Sequence, residues 1–274
     1  MMGLSGFTYF YRLLGHHERL CLTGWILIMK IIPLSEGAFT VDKSKRFIPF
    51  DKERDQLQDR NKGSLLVEVQ PFAVISAEDV LILDTGLGFL RDGEMQIYHN
   101  LRNAGIRPEE VTKVLMSHLH KDHAGGLSGF NQRPRADEPS FPNAEYYIQK
   151  KELEFAFSKG FPSYLTEELE CLKQFKNLVL LDGSGVINGY IKYELTGAHC
   201  PFHQVFRIVD GGDIVFFGGD VAPQLQQMKN RFVAKYDYDG RKCMELRQQW
   251  WKDGESEHWT FLFYHDIQTP IWKF

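Results

Sequence analysis

The hexapeptide HLHKDH, residues 118–123, contains three histidines and one aspartate. Imidazole nitrogens and carboxylate oxygens are ordinary ligands of zinc and other divalent metals. In an extended or turning segment, side chains two residues apart point to the same side, so His118 and His120 can reach one ion together. If the chain then turns into a helix, Asp122 and His123 face a second position beside the first. This segment alone therefore predicts ligands for two metal ions.

The surroundings of the segment favour a metal site over a solvated loop. An apolar run at residues 113–116 leads into it, and two glycines, Gly125 and Gly126, follow it. In a core without an ion, the imidazoles and the carboxylate would desolvate one another, and each polar group buried without a partner costs roughly 1–3 kcal/mol. We therefore interpret the segment as part of a metal centre.

Three more candidate ligands stand where predicted strands end, namely His199, Asp220 and His265. Taken singly, each can be interpreted as an ordinary loop, turn or strand-end residue. Taken with residues 118–123, they complete a donor set large enough for two ions. The candidate metal ligands are His118, His120, Asp122, His123, His199, Asp220 and His265.

The composition is that of an ordinary globular protein, with 274 residues, of which 43% are hydrophobic and 25% charged. A formal net charge of −4 is too small for the electrostatic footprint of a nucleic-acid-binding protein, so we expect no nucleic-acid partner. The longest apolar run, residues 20–33, is interrupted by polar residues and falls short of the roughly 20 residues that span a bilayer, so we expect no membrane partner. The 4 cysteines are far apart, which predicts reduced thiols and a cytoplasmic location.

The elements that position the candidate ligands follow from the hydrophobic pattern. A strand meander is predicted at 65–69, 72–75 and 80–83, with further strands at 113–116, 178–182, 189–195, 204–209, 213–217 and 259–264. Helices are predicted at 92–104, 150–158, 164–174 and 240–252. Helices before and after each group of strands indicate two sheets wrapped by helices. We interpret Trp250 and Trp251 of the last helix as packing residues.

Residues 29–274 are predicted to form a single domain. Residues 1–28 carry neither the basic start nor the small-residue cleavage site of a secretory signal. Because Met29 opens a strand-like run, we expect residues 1–28 to be a non-native or disordered N-terminal extension, with translation beginning at Met29.

Five segments, in this order along the chain, resemble the motifs of the metallo-β-lactamase superfamily of hydrolases: residues 83–86, 118–123, 197–204, 219–220 and 264–266. The resemblance extends from about residue 63 to residue 270. It implies an α/β fold, a four-layer αβ/βα sandwich of the metallo-β-lactamase type. In that fold the metals lie in a groove at one edge of the two sheets.

The resemblance also implies how the ligands divide between two divalent ions. The first ion would be held by three histidines, His118, His120 and His199. The second ion would be held by three other donors, Asp122, His123 and His265. Asp220 would bridge the two ions. Asp84 matches a family residue that steadies the metal-binding loop, and His203 is expected to be structural rather than a ligand.

Imidazole and carboxylate ligands without thiolate favour zinc, with iron or manganese as alternatives. Two ions roughly 3.5–4 Å apart lower the pKa of a bridging water enough to supply hydroxide near neutral pH, while one ion polarises the substrate oxygen. Asp122 is the expected catalytic residue, because it can accept a hydrogen bond from the hydroxide and pass a proton to the leaving group. The predicted function is a metal-dependent hydrolase that cleaves an ester, lactone or related bond of a small molecule.

Within the superfamily, the intervals between His199, Asp220 and His265 are similar to those of N-acyl homoserine lactonases and related organophosphate hydrolases. Those lactonases usually place a tyrosine three residues after the bridging aspartate, where it contacts the substrate carbonyl, and this chain has Pro223 there. The candidates to replace it are Tyr236, Tyr238 and Tyr264. The loop 132–140 and the stretch 232–238 are expected to form walls of the groove.

Other functions on the same fold stay open as alternatives. A mononuclear iron dioxygenase acting on persulfides would use only the three histidines of the first metal position. A glyoxalase II-like thioesterase usually adds a C-terminal helical domain, and nine residues follow His265 here. The flavodiiron branch usually carries glutamate between the histidines, so Asp122 favours hydrolysis. A binding or sensing protein that holds the metals without catalysing a reaction is the alternative that is not an enzyme.

Overall fold

The computed structural model describes residues 29–129 and 138–274. The expectation for residues 1–28, and most of that for the loop 132–140, concerns residues outside these ranges. The strands, in chain order, are β1 (Lys30–Pro33), β2 (Gly37–Val41), β3 (Phe47–Phe50), β4 (Leu65–Val69), β5 (Phe72–Ile75), β6 (Val80–Leu83), β7 (Leu90–Arg91), β8 (Glu94–Met95), β9 (Lys113–Leu115), β10 (Glu145–Gln149), β11 (Leu178–Leu181), β12 (Gly185–Ile187), β13 (Ile191–Leu195), β14 (Gln204–Asp210), β15 (Asp213–Phe217), β16 (Thr260–Leu262) and β17 (Ile271–Lys273).

The α-helices, in chain order, are α1 (Gln96–Asn103), α2 (Lys121–Ala124), α3 (Lys150–Lys159), α4 (Thr166–Leu169), α5 (Leu225–Lys229) and α6 (Gly240–Glu257). Short 3-10 turns cover Leu57–Asp59, Pro108–Glu110, Glu170–Gln174 and Gly219–Val221. Among the described residues, no helix is long and apolar enough to cross a membrane.

Two six-stranded sheets bring several strand ends to one edge. Their strand orders are β1-β5-β6-β9-β10-β11 and β12-β13-β14-β15-β16-β17. In the first sheet β6, β9 and β10 are parallel. In the second, β15 is parallel to β16, and β13 has the same direction because both β13 and β15 are antiparallel to β14. The segments that follow β6, β9, β13, β15 and β16 therefore meet at the carboxyl ends of these strands, where open α/β sheets usually bind their ligands.

Alternation of side chains along the strands creates the layers. In β15, Phe216 packs outward against Trp250 of α6, with ring centroids 4.8 Å apart, whereas Phe217 faces Phe72 of the first sheet at 6.1 Å. The outer face of the first sheet is covered by α1 and α3, with Leu101 in the same apolar cluster as β6, β9 and β10. The order helix, sheet, sheet, helix confirms the predicted four-layer αβ/βα sandwich and the packing role of Trp250.

A small third sheet, of order β3-β2-β4, corrects the predicted meander. β4 pairs with β2, with Leu65 opposite Val41, while β5 and β6 belong to the first large sheet. The strand positions were right but the pairing was wrong, because apolar alternation does not specify a strand's partner. β2, β3, β10, β12 and β17 were not predicted.

The helix predicted at 92–104 begins later, at Gln96. The preceding residues form the β7–β8 hairpin, in which Asp92 and Gly93 have φ values of 52° and 82°. Asp-Gly with two positive φ angles is a favoured two-residue hairpin turn, a signal that the sequence contained. α6 extends beyond the predicted residue 252 to Glu257. The described cysteines, Cys171, Cys200 and Cys243, are free thiols, as predicted.

Candidate metal centre

The segment 118–123 leaves β9 and turns at once into α2, a single helical turn that packs tightly on the loop after β6. A Cβ atom at Gly125 would lie 2.2 Å from the carbonyl oxygen of Leu87, and one at Gly126 would lie 2.1 Å from that of Thr85. Only glycine allows this approach. The two glycines are therefore explained by the packing that aims the histidine segment.

Three histidines form the first half of the site. His118 Nε2 lies 2.8 Å from His120 Nδ1, and His199 Nε2 lies 3.2 Å from the same His120 atom. Together with Asp220, these side chains offer four ligand atoms within 4.8 Å of one another. The segments after β9, β13 and β15 thus converge on one point.

The second half of the site lies beside the first and contains a carboxylate. Asp122 Oδ2 is 3.7 Å from His123 Nε2 and 3.5 Å from His265 Nε2. Each of these three residues offers a ligand atom within 4.8 Å of the others. The segment after β16, which supplies His265, thus joins the helical turn α2.

The Asp220 carboxylate lies between the two halves. Its Oδ2 is 3.2 Å from His199 Nε2, while its Oδ1 is 3.1 Å from His123 Nε2 and 3.0 Å from His265 Nε2. Gly219 allows this placement, because its φ of 46° is left-handed and a Cβ there would lie 2.8 Å from His203 Nε2. All seven predicted site residues are therefore brought together.

The outward-facing nitrogens of three of these histidines have hydrogen-bond partners. The Nδ1 atom pairs with Asp84 Oδ2 at 2.7 Å in His123, with Asp237 Oδ1 at 2.8 Å in His199, and with the Glu68 carbonyl at 2.6 Å in His265. Such partners fix the ring orientation and leave Nε2 free to bind, a common arrangement around metal-bound histidine.

Asp84 and His203 lie behind the inward-facing atoms. The two oxygens of Asp84 accept hydrogen bonds from the Ser117 amide and hydroxyl, both at 2.6 Å, and Asp84 also contacts His123. His203 Nε2 accepts a hydrogen bond from the Asp220 amide at 3.2 Å. Burial, and then the charge of His199, hold the pKa of His203 well below its usual value. The neutral ring of His203 thus supports the Asp220 backbone.

The electrostatics differ between the two halves. Burial, and after it the neighbouring imidazoles, hold the pKa values of His118 and His120 well below the usual value. Burial also disfavours protonated His123, but the carboxylates of Asp220, Asp122 and Asp84 outweigh it and raise its pKa well above the usual value. The carboxylate-rich half thus attracts positive charge.

Two buried atoms test whether the site suits a cation. His123 Nε2 and Asp220 Oδ1 face each other, yet neither makes a hydrogen bond to any described residue. An imidazole nitrogen and a carboxylate oxygen aimed into one space are donors that a divalent metal ion satisfies. The residues present therefore fit a bound metal.

Sequence reasoning missed two supporting side chains. Asp237, which holds His199, gave no sequence signal, because it lies 38 positions away in a loop. Glu152 is buried in α3, and its Oε1 accepts hydrogen bonds from the Leu119 amide and the Tyr164 hydroxyl, both at 3.1 Å. A glutamate on the apolar side of a predicted helix was the available signal. Glu152 anchors the segment 118–123 from behind.

A cavity of about 590 Å³ opens over this centre. Its floor contains five of the seven predicted residues, His120, Asp122, His199, Asp220 and His265. Among the described residues, its walls come from the small third sheet, the β2–β3 turn and the stretch 232–236. The prediction that the stretch 232–238 forms a wall is thus confirmed for Phe232, Lys235 and Tyr236.

The three candidate tyrosines occupy different environments. Tyr236 lines the cavity, and its ring centroid is 6.4 Å from that of His199. Tyr264 is completely buried, stacks on His123 and donates its hydroxyl to the Asp122 carbonyl at 2.6 Å. Tyr238 is 71% exposed and does not line the cavity. Of the three, only Tyr236 can present its hydroxyl to a molecule in the cavity.

A family model described as the Metallo-beta-lactamase superfamily matches residues 67–257. The N-acyl homoserine lactonase of Bacillus cereus is 30% identical over 116 residues, 42% of this chain and 40% of that protein. The chain thus spans about two fifths of the length of this curated relative.

Solved structures show the same fold. A probable metal-dependent hydrolase of Staphylococcus aureus is similar with a TM-score of 0.70 and 24% identity, over 89% of this chain and 92% of that one. The dizinc quorum-quenching lactonase AidC, in complex with a product, is similar with a TM-score of 0.68 and 18% identity, over 89% of each chain.

Proposed function

The chain belongs to the metallo-β-lactamase superfamily, and on that premise we propose that it is a metal-dependent hydrolase that opens a lactone or cleaves a related ester of a small molecule. The observation that carries the proposal is the Asp220 carboxylate, with one oxygen toward His199 and the other toward His123 and His265. A carboxylate between two imidazole groups suits a pair of cations better than a single one.

We assign the ligands accordingly. The first ion would be held by His118, His120 and His199, the second by Asp122, His123 and His265, with Asp220 shared. Nitrogen and oxygen donors without sulfur favour zinc. When bound, such ions acidify a coordinated water and polarise the carbonyl oxygen of an ester.

Two side chains of the cavity would act on the substrate. Asp122 lies on the floor, where its carboxylate can accept a hydrogen bond from the attacking water and then return a proton to the leaving alkoxide. Tyr236 stands on the wall, and its partial burial raises its pKa to about 12, so its hydroxyl keeps its proton at neutral pH. It can therefore donate a hydrogen bond to the carbonyl oxygen, in place of the tyrosine that Pro223 replaces.

The cavity supports a small-molecule substrate. Its volume of about 590 Å³ lies within the roughly 300–1,000 Å³ typical of small-molecule sites. Apolar side chains line one side, among them Val41, Leu65, Val67 and Phe232. Lactones are the first substrates to test, because the curated relatives are described as N-acyl homoserine lactonases.

The test is an activity screen on lactones, thioesters, phosphotriesters and β-lactams, run on protein whose zinc, iron and manganese contents have been measured. We expect about two zinc ions per chain and the fastest turnover on a lactone. The Asp122→Asn variant should lose most of that turnover. One iron per chain with oxygen consumption, or two metals with no turnover on any class, would contradict the proposal.

A further inference from the structure

The mouth of the cavity carries an excess of positive charge. Apart from the residues of the metal centre, its charged lining side chains are four lysines and one aspartate: Lys43, Lys45, Lys121, Lys235 and Asp42. The whole chain has the opposite balance, with a formal net charge of −4. The positive mouth is therefore a local feature of the cavity and not a consequence of composition.

These lysines come from separate parts of the chain. Lys43 and Lys45 belong to the β2–β3 turn, Lys121 opens α2, and Lys235 lies in the loop before α6. Among the described residues, none of the four has a carboxylate within ion-pair distance. Lys121 contacts the rings of Phe47 and Phe161, at 5.8 and 5.9 Å from their centroids. Their charges are thus available to a molecule in the cavity.

Of the four lysines, Lys45 has the most constrained backbone. It is half-buried and has a left-handed φ of 58°, a backbone conformation that is unfavourable for a non-glycine residue. The turn is closed by a hydrogen bond from the Lys45 amide to the Asp42 carbonyl, at 3.0 Å. The turn thus fixes the backbone of Lys45 beside the cavity that its side chain lines.

The one aspartate at the mouth offsets only part of this charge, since four lysines face it. Its carboxylate accepts hydrogen bonds from the Ser44 amide at 2.9 Å and the Ser44 hydroxyl at 2.6 Å, with Asn61 at 3.4 Å. Asp42 therefore serves the geometry of its own turn. Four lysines and one aspartate around one cavity mouth leave an excess of positive charge, which favours the binding of an anion there.

We propose that the substrate carries an anionic group, a carboxylate or a phosphate, which the lysines at the mouth bind while the ester or lactone carbonyl lies over the metal centre. This inference rests on the proposed function and narrows it to anionic esters and lactones. The acidic group and the scissile bond would be joined by a short apolar chain, in keeping with the valine and leucine side chains of the wall.

Comparing the binding of acids that carry one or two anionic groups tests the inference without requiring hydrolysis. Zinc-loaded protein is titrated calorimetrically with dicarboxylates from succinate to suberate, with ω-phosphono carboxylates of the same lengths, and with the matched monocarboxylates. We expect at least one acid with two anionic groups to bind about tenfold more tightly than the monocarboxylate of the same length. This difference in affinity should shrink as the salt concentration rises. The terminal group that gains more identifies the chemistry of the natural anion.

Variants separate the mouth from the metal centre. Lys45→Gln should remove most of the gain, Lys45→Arg should keep it, and both should bind monocarboxylates within about twofold of the parent protein. Lys192→Gln, at an exposed lysine of β13, is the matched control and should change nothing. Two outcomes would overturn the inference. One is equal affinity for acids with one and with two anionic groups at every chain length, and the other is a gain in affinity from the second anionic group that persists in Lys45→Gln.

Kinetics then distinguish the two proposals. Hydrolysis of neutral lactones and esters without preference for their anionic counterparts would leave the hydrolase standing and remove the anion site. Selective binding of acids with two anionic groups, with no hydrolysis of any anionic or neutral ester, would leave the anion site standing and remove the hydrolase.

Discussion

The Nε2 atom of His123 lies 3.1 Å from Oδ1 of Asp220, and neither buried atom makes a hydrogen bond within the described part of the chain. An unsatisfied buried polar group costs roughly 1–3 kcal/mol. A bound ligand can offset this cost, and here one cation bound by both atoms would satisfy them.

Replacing Asp220 with alanine should remove both metals, because its two oxygens face the two halves of the site. We expect the metal content to fall from about two ions per chain to nearly none, as measured by plasma mass spectrometry after dialysis. Asp59→Ala, at an exposed aspartate, is the control. A variant that keeps two ions would show that Asp220 does not bridge them.

Replacing His203 with glutamine should leave the metal content unchanged. The amide oxygen of glutamine can still accept the hydrogen bond that the Asp220 amide now donates to the ring. The same mass spectrometry reads the result. If the site empties instead, His203 is a ligand and the assignment of His199 is wrong.

Replacing Asp237 with asparagine should weaken metal binding about 10–100-fold, because the carboxylate that orients His199 loses its charge. Competition with a chromogenic chelator measures the affinity. Asp253→Asn, on the exposed side of α6, should bind metal like the parent protein. Unchanged affinity in Asp237→Asn would mean that the His199 ring is held by packing alone.

Replacing Tyr236 with phenylalanine should lower kcat on the best substrate about a hundredfold with little change in metal content, since a donor to the carbonyl oxygen is lost. Steady-state kinetics give the value. Tyr238→Phe is the matched control, because that ring is 71% exposed and outside the cavity lining. Equal losses in the two variants would argue against a specific role for the Tyr236 hydroxyl.

We expect the ionisation of Glu36 to lower the free energy of unfolding as the pH rises. Its buried carboxyl accepts hydrogen bonds from the amides of Leu87, at 2.6 Å, and Phe89, at 3.0 Å. Burial raises its pKa from 4.5 to about 8. Between these values the folded state holds a proton that the unfolded state has lost. The contribution of protonated Glu36 to the free energy of unfolding is therefore fully present below pH 4.5. It is lost as the pH rises through about 8.

Urea unfolding across this pH range measures the effect. Glu36→Gln cannot ionise, so the difference in unfolding free energy between variant and parent should grow by up to about 1.4 kcal/mol per pH unit in favour of the variant. Glu109→Gln, at an exposed glutamate, should follow the parent. Parallel pH profiles for Glu36→Gln and the parent would refute the raised pKa.

The sequence alone determined the local parts of this protein. The ligands His118 to His123 were recognisable because they are neighbours in the chain, and the strands that precede His199, Asp220 and His265 were recognisable because apolar alternation has a short period. The hairpin turn at Asp92 and Gly93 is equally local, because the Asp-Gly pair itself favours it, although a helix is predicted there. These features depend on residues a few positions apart.

Only the tertiary structure decided the long-range relationships. The Asp237 partner of His199, the pairing of β4 with β2, and the choice of Tyr236 among three tyrosines all depend on the paths of loops and on which faces pack together. The convergence of Lys45, Lys121 and Lys235 at one mouth has the same origin. Composition and spacing carry no record of such distances, because they arise when two sheets bury their apolar faces against each other and bring distant strand ends to a common edge.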